Sequence, residues 1–371
     1  MRIGFDAKRA FFNLSGLGNY SRNTIRHLGR KYPEHDYFLY IPKRKSGIGT
    51  GEFAEYRKMY PRSWAGKKFS SLWRSYWLGK TLEKDGIDLY HGLSNEIPFD
   101  MPRPAVRSVL TVHDLIFLRY PEWYKSIDRR IYTKKVRHSC QATDRIIAIS
   151  QQTRADIQEY LGIPPEKIDV VYQGCDPAFY SGAGQDEKER LRQKYDLPRD
   201  FLLSVGTIEP RKNLLSIVQA LHIGSQDMPL IVIGRPTPYL EKVLQYIRKH
   251  SLQNIIFLRD VPNDDLPGLY QMAKIFIYPS RFEGFGIPIL EALCSHTPVI
   301  TSTGSCFAEA GGKSSLYIDP DKPEELADAI HRVLDDTGLQ NSMKSEGFKH
   351  AMHFTQDIIA ENIMQVYLTL K

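Results

Sequence analysis

The sequence predicts an α/β protein made of two doubly wound, parallel-sheet domains, and three observations lead there. Short apolar runs of strand length alternate with amphipathic helical stretches along the whole chain, which is how βαβ units read. The 371 residues correspond to about two domains at roughly 150 residues each, and each could bury its own core. The composition is 42% hydrophobic and 25% charged, with 26 Gly and 22 Pro, which excludes disordered, collagenous and coiled-coil chains.

In the first half the strand runs fall at 2–6, 37–41, 87–91, 107–113, 145–150 and 168–172, with helices fitting between them. In the second half they fall at 201–205, 230–233, 255–258, 275–278 and 298–301, again separated by helical patterns such as 213–223. Between the halves, SGAGQDEKE at 181–189 breaks the apolar periodicity and reads as the boundary. The predicted domains are therefore 1–180 and 190–356. The last stretch, 357–370, spaces Ile358, Ile359, Ile363, Val366, Tyr367 and Leu370 as one amphipathic helix. Two such sheets offer ligands the crevice beyond the carboxyl ends of their strands, so chemistry is sought on loops that follow strands.

Charge is distributed unevenly. Residues 1–180 hold 30 Lys and Arg against 19 Asp and Glu, whereas residues 181–371 hold 20 against 24. A basic half suits nucleic acid, an anionic leaflet or a phosphorylated acceptor, and it also occurs as ordinary surface. No reading motif for nucleic acid accompanies it. The four cysteines, Cys140, Cys175, Cys294 and Cys306, have neither a C-x-x-C nor a metal-ligand spacing, so no disulfide framework or zinc site is expected, and a reducing cytoplasm fits. The opening residues MRIGFDAKRAFF lack the apolar core of a leader, and no apolar run approaches ~18 residues, so no membrane span is expected.

The most informative segment is YPSRFEGFGIPILEALCSHTP at 278–298. A strand ends in a loop carrying Glu283, Gly284, Phe285 and Gly286, and a helix follows. Pro288 suits the first helical position, which would put Glu291 in the first turn. Glycines before a helix let N–H groups approach a phosphate. The two carboxylates suit sugar hydroxyls, because an ionised carboxylate accepts from two neighbouring O–H groups. With Glu283 on the loop, both can line one pocket; a tight turn with an acidic helix start would read the same way.

In FLLSVGTIEPRKNL at 201–214 a buried strand delivers Gly206 and Thr207 to a loop with Arg211 and Lys212, and Asn213 is placed as an N-cap. Two cations there can neutralise the charge that grows on a departing diphosphate, or can simply be solvated. Near the start, Gly16 and Gly18 precede a helical pattern, but Ser21 stands where a dinucleotide fingerprint needs glycine, so an NAD-dependent oxidoreductase is discounted. The two glycines remain candidates for close backbone approach to a ligand. TVHDL places His113 and Asp114 at a strand end, where a histidine either contacts substrate or lies buried and hydrogen-bonded. Asp319-Pro320-Asp321 resembles a metal-binding D-x-D but leads into Pro323 and two glutamates at a helix start, so it reads as turn and capping chemistry. In 63–79, Phe69, Leu72, Trp73, Tyr76 and Trp77 share a helical stripe with Lys67, Lys68, Arg74 and Lys80 between them. Such a stripe usually faces the core, and a basic aromatic helix can also lie on an anionic membrane surface.

Taken together, SGLGNY, DLYHGLSNEIPF, TVHDLIFLRYPEWY, RIIAISQQTRADI, SVGTIEPRKNL, the run through PSRFEGFGIPILEAL and DPDKPEELADAI resemble glycosyltransferase family 4, the group 1 enzymes of GT-B fold. They run in family order from residue 15 to 330, and the E-x7-E pair Glu283 and Glu291 alongside EPRKNL is highly specific. The resemblance implies a retaining transfer of sugar from a nucleotide-diphosphate donor held mainly by the C-terminal domain, with the acceptor on the N-terminal domain. It implies no metal and no cofactor. It assigns Glu291 to the donor ribose, Glu283 to the sugar hydroxyls, the Phe285 and Gly286 amides to phosphate, and Arg211 and Lys212 to the diphosphate. Gly16 would approach that diphosphate, His113 would touch the transferred sugar, and Val261 would sit near the base. The final helix would pack back on the N-terminal domain. Thr207 departs from relatives with arginine there, leaving the clamp to Arg211 and Lys212. YHGLSNEIPF and VHDLIFLRYPEWY look most like mannosyltransferase members, which favours GDP-mannose and a saccharide or lipid-linked acceptor in surface polysaccharide synthesis, made in the cytoplasm and at the inner face of the membrane. The alternatives are an epimerase of the same fold, which would turn over donor alone, and a non-catalytic sugar-nucleotide binding protein.

Overall fold

A computed structural model describes residues 1–44 and 53–371 of the chain. It divides into two compact units, Met1–Gln173 with Gln356–Lys371, and Gly174–Thr355. The chain thus leaves the first unit ahead of the polar stretch 181–189. That stretch belongs to the second unit, where the Gln271 side chain accepts from Ala183 N at 2.8 Å and donates to Ser181 O at 2.8 Å.

In the first unit the strands are β1 (Arg2–Asp6), β2 (Asp36–Tyr40), β3 (Arg57–Met59), β4 (Leu89–Gly92), β5 (Arg107–Val112), β6 (Arg145–Ala148) and β7 (Ile168–Val170). They form one parallel seven-stranded sheet in the order β3-β2-β1-β4-β5-β6-β7. Alternate residues face opposite sides: Tyr37 and Leu39 enter one hydrophobic cluster, Phe38 and Tyr40 the other. Both faces are covered, as a parallel sheet requires. The final helix, Gln356–Leu368, belongs to this unit and buries Ile359, Ile363, Met364 and Tyr367 against Ile3, Phe5 and Leu39. Burial of each such side chain is worth roughly 1.5–3 kcal/mol. Strand order reverses between β1 and β4.

In the second unit β8 (Leu202–Val205), β9 (Leu230–Ile233), β10 (Ile255–Leu258), β11 (Ile275–Tyr278), β12 (Val299–Ser302) and β13 (Leu316–Ile318) form a parallel six-stranded sheet ordered β10-β9-β8-β11-β12-β13. The order reverses between β8 and β11, so the crevice beyond their carboxyl ends is where such a sheet takes a ligand. At that edge Gly206 has φ +144°, and a Cβ on Gly234 would lie 1.8 Å from Gly206 O, so these two strand ends touch through glycine backbones.

Segment 63–79 corrects the expectation of a core-facing stripe. The helix Trp64–Lys68 stops at Phe69 and is followed by a short turn and then by a π-helical turn at Trp73–Trp77, so helical phase is lost. Only Trp73 is buried, while Phe69, Leu72, Tyr76 and Trp77 are 41–47% exposed. The π turn sends Arg74 inward, where its Nε donates to Asp6 at 2.9 Å and its Nη1 to Glu96 at 2.8 Å.

Candidate active site

The loops after β8 and β11 build one charged cluster. Glu283 accepts from Arg211 Nη1 at 2.5 Å, from Tyr278 Oη at 2.7 Å and from Ser280 Oγ at 2.9 Å. Lys212 Nζ donates to Tyr278 Oη at 2.8 Å and lies 3.7 Å from the same carboxylate. Burial alone would raise the Glu283 carboxyl; the Lys212 and Arg211 charges and the hydrogen bonds outweigh it and hold the group at about 2. Glu283 is therefore ionised throughout the physiological range. Arg211 spends its fork on Glu283, on Glu209 Oε1 at 2.6 Å and on Phe282 O at 2.7 Å. It acts as the brace of Glu283, and Lys212 is the cation with fewer fixed partners.

Glu291 behaves in the opposite way. It is the fifth residue of the helix Ile287–Cys294, with Pro288 in second place, so it lies beyond the first turn expected for it. The helix starts one residue earlier because Gly286, at φ +108°, serves as the N-cap. Burial pushes the Glu291 carboxyl up to about 7, against the Tyr270 Oη hydrogen bond at 2.9 Å and the Lys212 charge, both of which pull it down. One lysine thus acts on both carboxylates. Near neutrality Glu283 is ionised while Glu291 titrates, although the same lysine lowers both. The hydroxyls that hold them, Tyr278 and Tyr270, escaped the sequence reading, although a buried tyrosine usually finds a partner for its O–H and Tyr278 opens the segment that drew notice.

Thr207 is half-buried on the β8 loop, and Val261 is half-buried on the loop after β10, at the same sheet edge. Gly284 lies on the loop before Phe285, and the Phe285 ring is buried with its centroid 5.7 Å from that of Phe354. Asn213 precedes the helix Leu214–Ile223 but makes no side-chain cap: its Nδ2 donates to Pro320 O at 2.6 Å. Asp319 and Asp321 are spent on turn chemistry, with Asp321 N donating to Asp319 Oδ1 at 2.9 Å and Asp321 paired with Arg281. Among the described residues no group of three or more His, Cys, Asp or Glu side chains could hold a metal ion. The four cysteines are buried.

In the first unit His113 follows β5 and is 4% exposed. Its Nε2 donates to Leu93 O at 2.9 Å, so Nδ1 is the acceptor and takes Gln173 Nε2 at 3.0 Å. Burial lowers its pKa to about 4. The imidazole is neutral and both nitrogens are engaged, which is the buried, hydrogen-bonded alternative; a sugar contact would have to displace Gln173. Its ring stands edge-on to Tyr20, which shares Thr111 Oγ1 with His91, and His91 in turn bonds Tyr367 of the final helix at 2.6 Å. Asp114 accepts from Ile116 N at 3.2 Å in a local turn.

Gly16 and Gly18 differ. A Cβ on Gly16 would meet nothing within 4 Å, whereas one on Gly18 would sit 1.8 Å from Asn13 O, so Gly18 serves the chain's own packing and not a ligand. We expect Gly18→Ala to lose about 1–3 kcal/mol in denaturant unfolding. Gly16→Ala should unfold like the parent; equal losses of stability in the two variants would remove the distinction.

Comparison with known proteins agrees with this architecture. The profile "Glycosyltransferase Family 4" matches residues 14–179, and "Glycosyl transferases group 1" matches residues 186–350. The chain is 28% identical to the O-antigen chain mannosyltransferase B of Escherichia coli, over the full length of both. It is 29% identical over 233 residues to the O-antigen chain mannosyltransferase RfbU of Salmonella typhimurium, 62% of each chain. The fold superposes on Anabaena HepE, solved in complex with UDP and glucose, with a TM-score of 0.78 at 18% identity and full coverage of both chains. Two Rossmann-like parallel sheets, the Glu283 and Glu291 pair with its lysine, and two profiles covering the chain in order lead to one conclusion: the chain belongs to glycosyltransferase family 4, the group 1 glycosyltransferases of GT-B fold.

Proposed function

We propose that the protein is a retaining hexosyltransferase that moves mannose from GDP-mannose to a saccharide or lipid-linked saccharide acceptor during surface polysaccharide synthesis, without a metal ion. The observation that carries this reading is the charged cluster at the β8–β11 crevice, where Lys212 acts on both Glu283 and Glu291. Ionised Glu291 accepts the two ribose hydroxyls, and Glu283, kept ionised by Arg211 and Lys212, accepts sugar hydroxyls. Lys212 neutralises the charge that develops on the departing phosphate, with the Phe285 and Gly286 amides assisting at the helix start. The C1 bond to the diphosphate breaks, the acceptor oxygen bonds to C1 on the same face, and the acceptor proton passes to the departing phosphate oxygen. That route needs no separate protein base, in keeping with a neutral, fully engaged His113. Gly16 and His113 keep their donor-side roles on the strength of the family resemblance. The mannosyl assignment is supported by the names of the two enterobacterial relatives. The enzyme works in the cytoplasm, against the inner face of the membrane where lipid-linked acceptors are built.

The test is thermal stabilisation by GDP, UDP and ADP, each with and without EDTA. A ligand at ~100 times its Kd adds roughly 2.7 kcal/mol. We expect GDP to shift the transition, unchanged by EDTA. A UDP shift would transfer the reading to another sugar, and no shift with any nucleotide would leave a donor-binding role unsupported. Proton NMR of the product's anomeric centre checks retention.

A further inference from the structure

The exposed aromatic segment borders a cleft that contains none of the residues assigned to the transfer site. Arg62, Ser63, Ala65, Trp73, Trp77, Lys80, Thr81 and Lys84 enclose a volume of about 430 Å³ in the first unit. Three of those side chains are cations and none is an acid. Arg62 leans on Asp85 at 3.1 Å, and Glu83 is the one carboxylate in 62–84, against six cations. Lys80 and Lys84 stand one turn apart on the helix Leu78–Lys84 and are exposed. Around the cleft, Trp64 is 72% exposed, Phe69 46%, Leu72 45% and Trp77 41%, and Lys68 Nζ sits 4.9 Å from the Trp64 ring centroid. Large apolar side chains are held outward here by the break at Phe69 and the π turn, whose inward residues Trp73 and Arg74 anchor it to the sheet edge.

Such a surface has a specific solvent in which it costs nothing. Indole rings with their N–H groups favour the boundary between headgroups and acyl chains. Lysines beside them gain from the negative potential of an anionic leaflet, and a basic, aromatic amphipathic surface without a long apolar helix lies in the interface. Among the described residues no helix is long and apolar enough to cross a membrane. We propose that this cleft seats the phosphate of an anionic membrane lipid between Arg62, Lys80 and Lys84, while Trp64, Phe69, Leu72 and Trp77 enter the leaflet around it. The inference rests on the reading of a membrane-side acceptor only for its purpose, since lipid binding is measured without donor or acceptor.

The experiment is co-sedimentation of the full chain with vesicles of phosphatidylglycerol and phosphatidylethanolamine, compared with phosphatidylcholine vesicles, and calorimetric titration with inorganic phosphate. The expected result is retention by the anionic vesicles only. It should weaken at least about twentyfold in the Lys80→Glu, Lys84→Glu double variant, because each lysine at such a surface is worth about fivefold. Trp64→Ser, at a position 72% exposed whose ring meets the Lys68 ammonium, should weaken retention comparably. Equal retention by neutral vesicles, indifference to the charge reversals, or phosphate binding without vesicle retention would each overturn the proposal. Nucleotide-induced stabilisation, measured on the same preparations, distinguishes failure here from failure of the transferase reading: a protein that binds nucleotide but no vesicle loses only this site.

Discussion

Replacing Lys212 by alanine is expected to lower kcat/KM for sugar transfer about 100- to 1000-fold, the size of effect seen when one preorganised charge at a developing anion is removed. The fold should survive the change. Glu283 keeps Arg211, Tyr278 and Ser280 as donors, so no buried carboxylate is left alone. Arg211→Ala makes the informative contrast, because it removes the closest counter-charge of Glu283 and leaves that buried carboxylate to Lys212, Tyr278 and Ser280, at about 1–3 kcal/mol of stability. Steady-state kinetics and urea unfolding of both variants separate the roles: Lys212 should report chiefly in kcat with the smaller fall in unfolding midpoint, Arg211 in both. Gly206, at φ +144°, holds a backbone conformation that favours glycine, and a Cβ there would come within 2.9 Å of the Lys212 Nζ. Wild-type turnover in Lys212→Ala would sink the assignment of this cation.

How much of this was legible in the sequence varied with the range of the interaction. β1, β9 and β11 coincide with their apolar runs, because a strand buried on both faces leaves a continuous hydrophobic record, and the half-buried edge strand β10 is still legible from its four apolar residues. β3 and β13 went unread: Arg57–Met59 and Leu316–Ile318 are three residues each, at sheet edges and partly exposed, too short for any period. Glu283, Glu291, Arg211 and Lys212 were visible as polar residues on loops or at helix starts after strands. Their partners Tyr278 and Tyr270 were not, and nor was Gln173 beside His113, because these become partners only through the folded backbone, with Lys212 and Tyr278 66 residues apart. The 63–79 stripe was read in α-helical phase, and a break at Phe69 with a π turn, neither announced by Gly or Pro between Phe69 and Trp77, turned most of it outward.

Donor binding is expected to strengthen as pH rises through about 7 and to become flat in Glu291→Gln. The Glu291 carboxyl sits at about 7 in the folded protein against an ordinary value of 4.5, so below neutrality it holds a proton that must leave before it can accept from both ribose hydroxyls. Affinity should fall about tenfold per pH unit on the acid side, and Glu291→Gln should lose about 10- to 100-fold at pH 8, the worth of a charge-assisted hydrogen bond. The measurement is calorimetric titration from pH 5.5 to 8.5 with the intact nucleotide sugar. A free nucleoside diphosphate would confuse it, since a terminal phosphate titrates near pH 6. Stability should move the other way. Because the folded state binds the proton more tightly than the unfolded chain, stability falls as pH rises from 4.5 to 7, by at most about 3 kcal/mol, and is constant above. Glu291→Gln abolishes that slope, leaving a variant more stable than the parent at pH 8 yet weaker in binding. Tyr270→Phe removes the hydrogen bond that favours the ionised form, and should move the midpoint of the binding profile above 7. A wild-type profile without a step between pH 6 and 8 would remove Glu291 from the ribose; a step that survives Glu291→Gln would give the titration to another group.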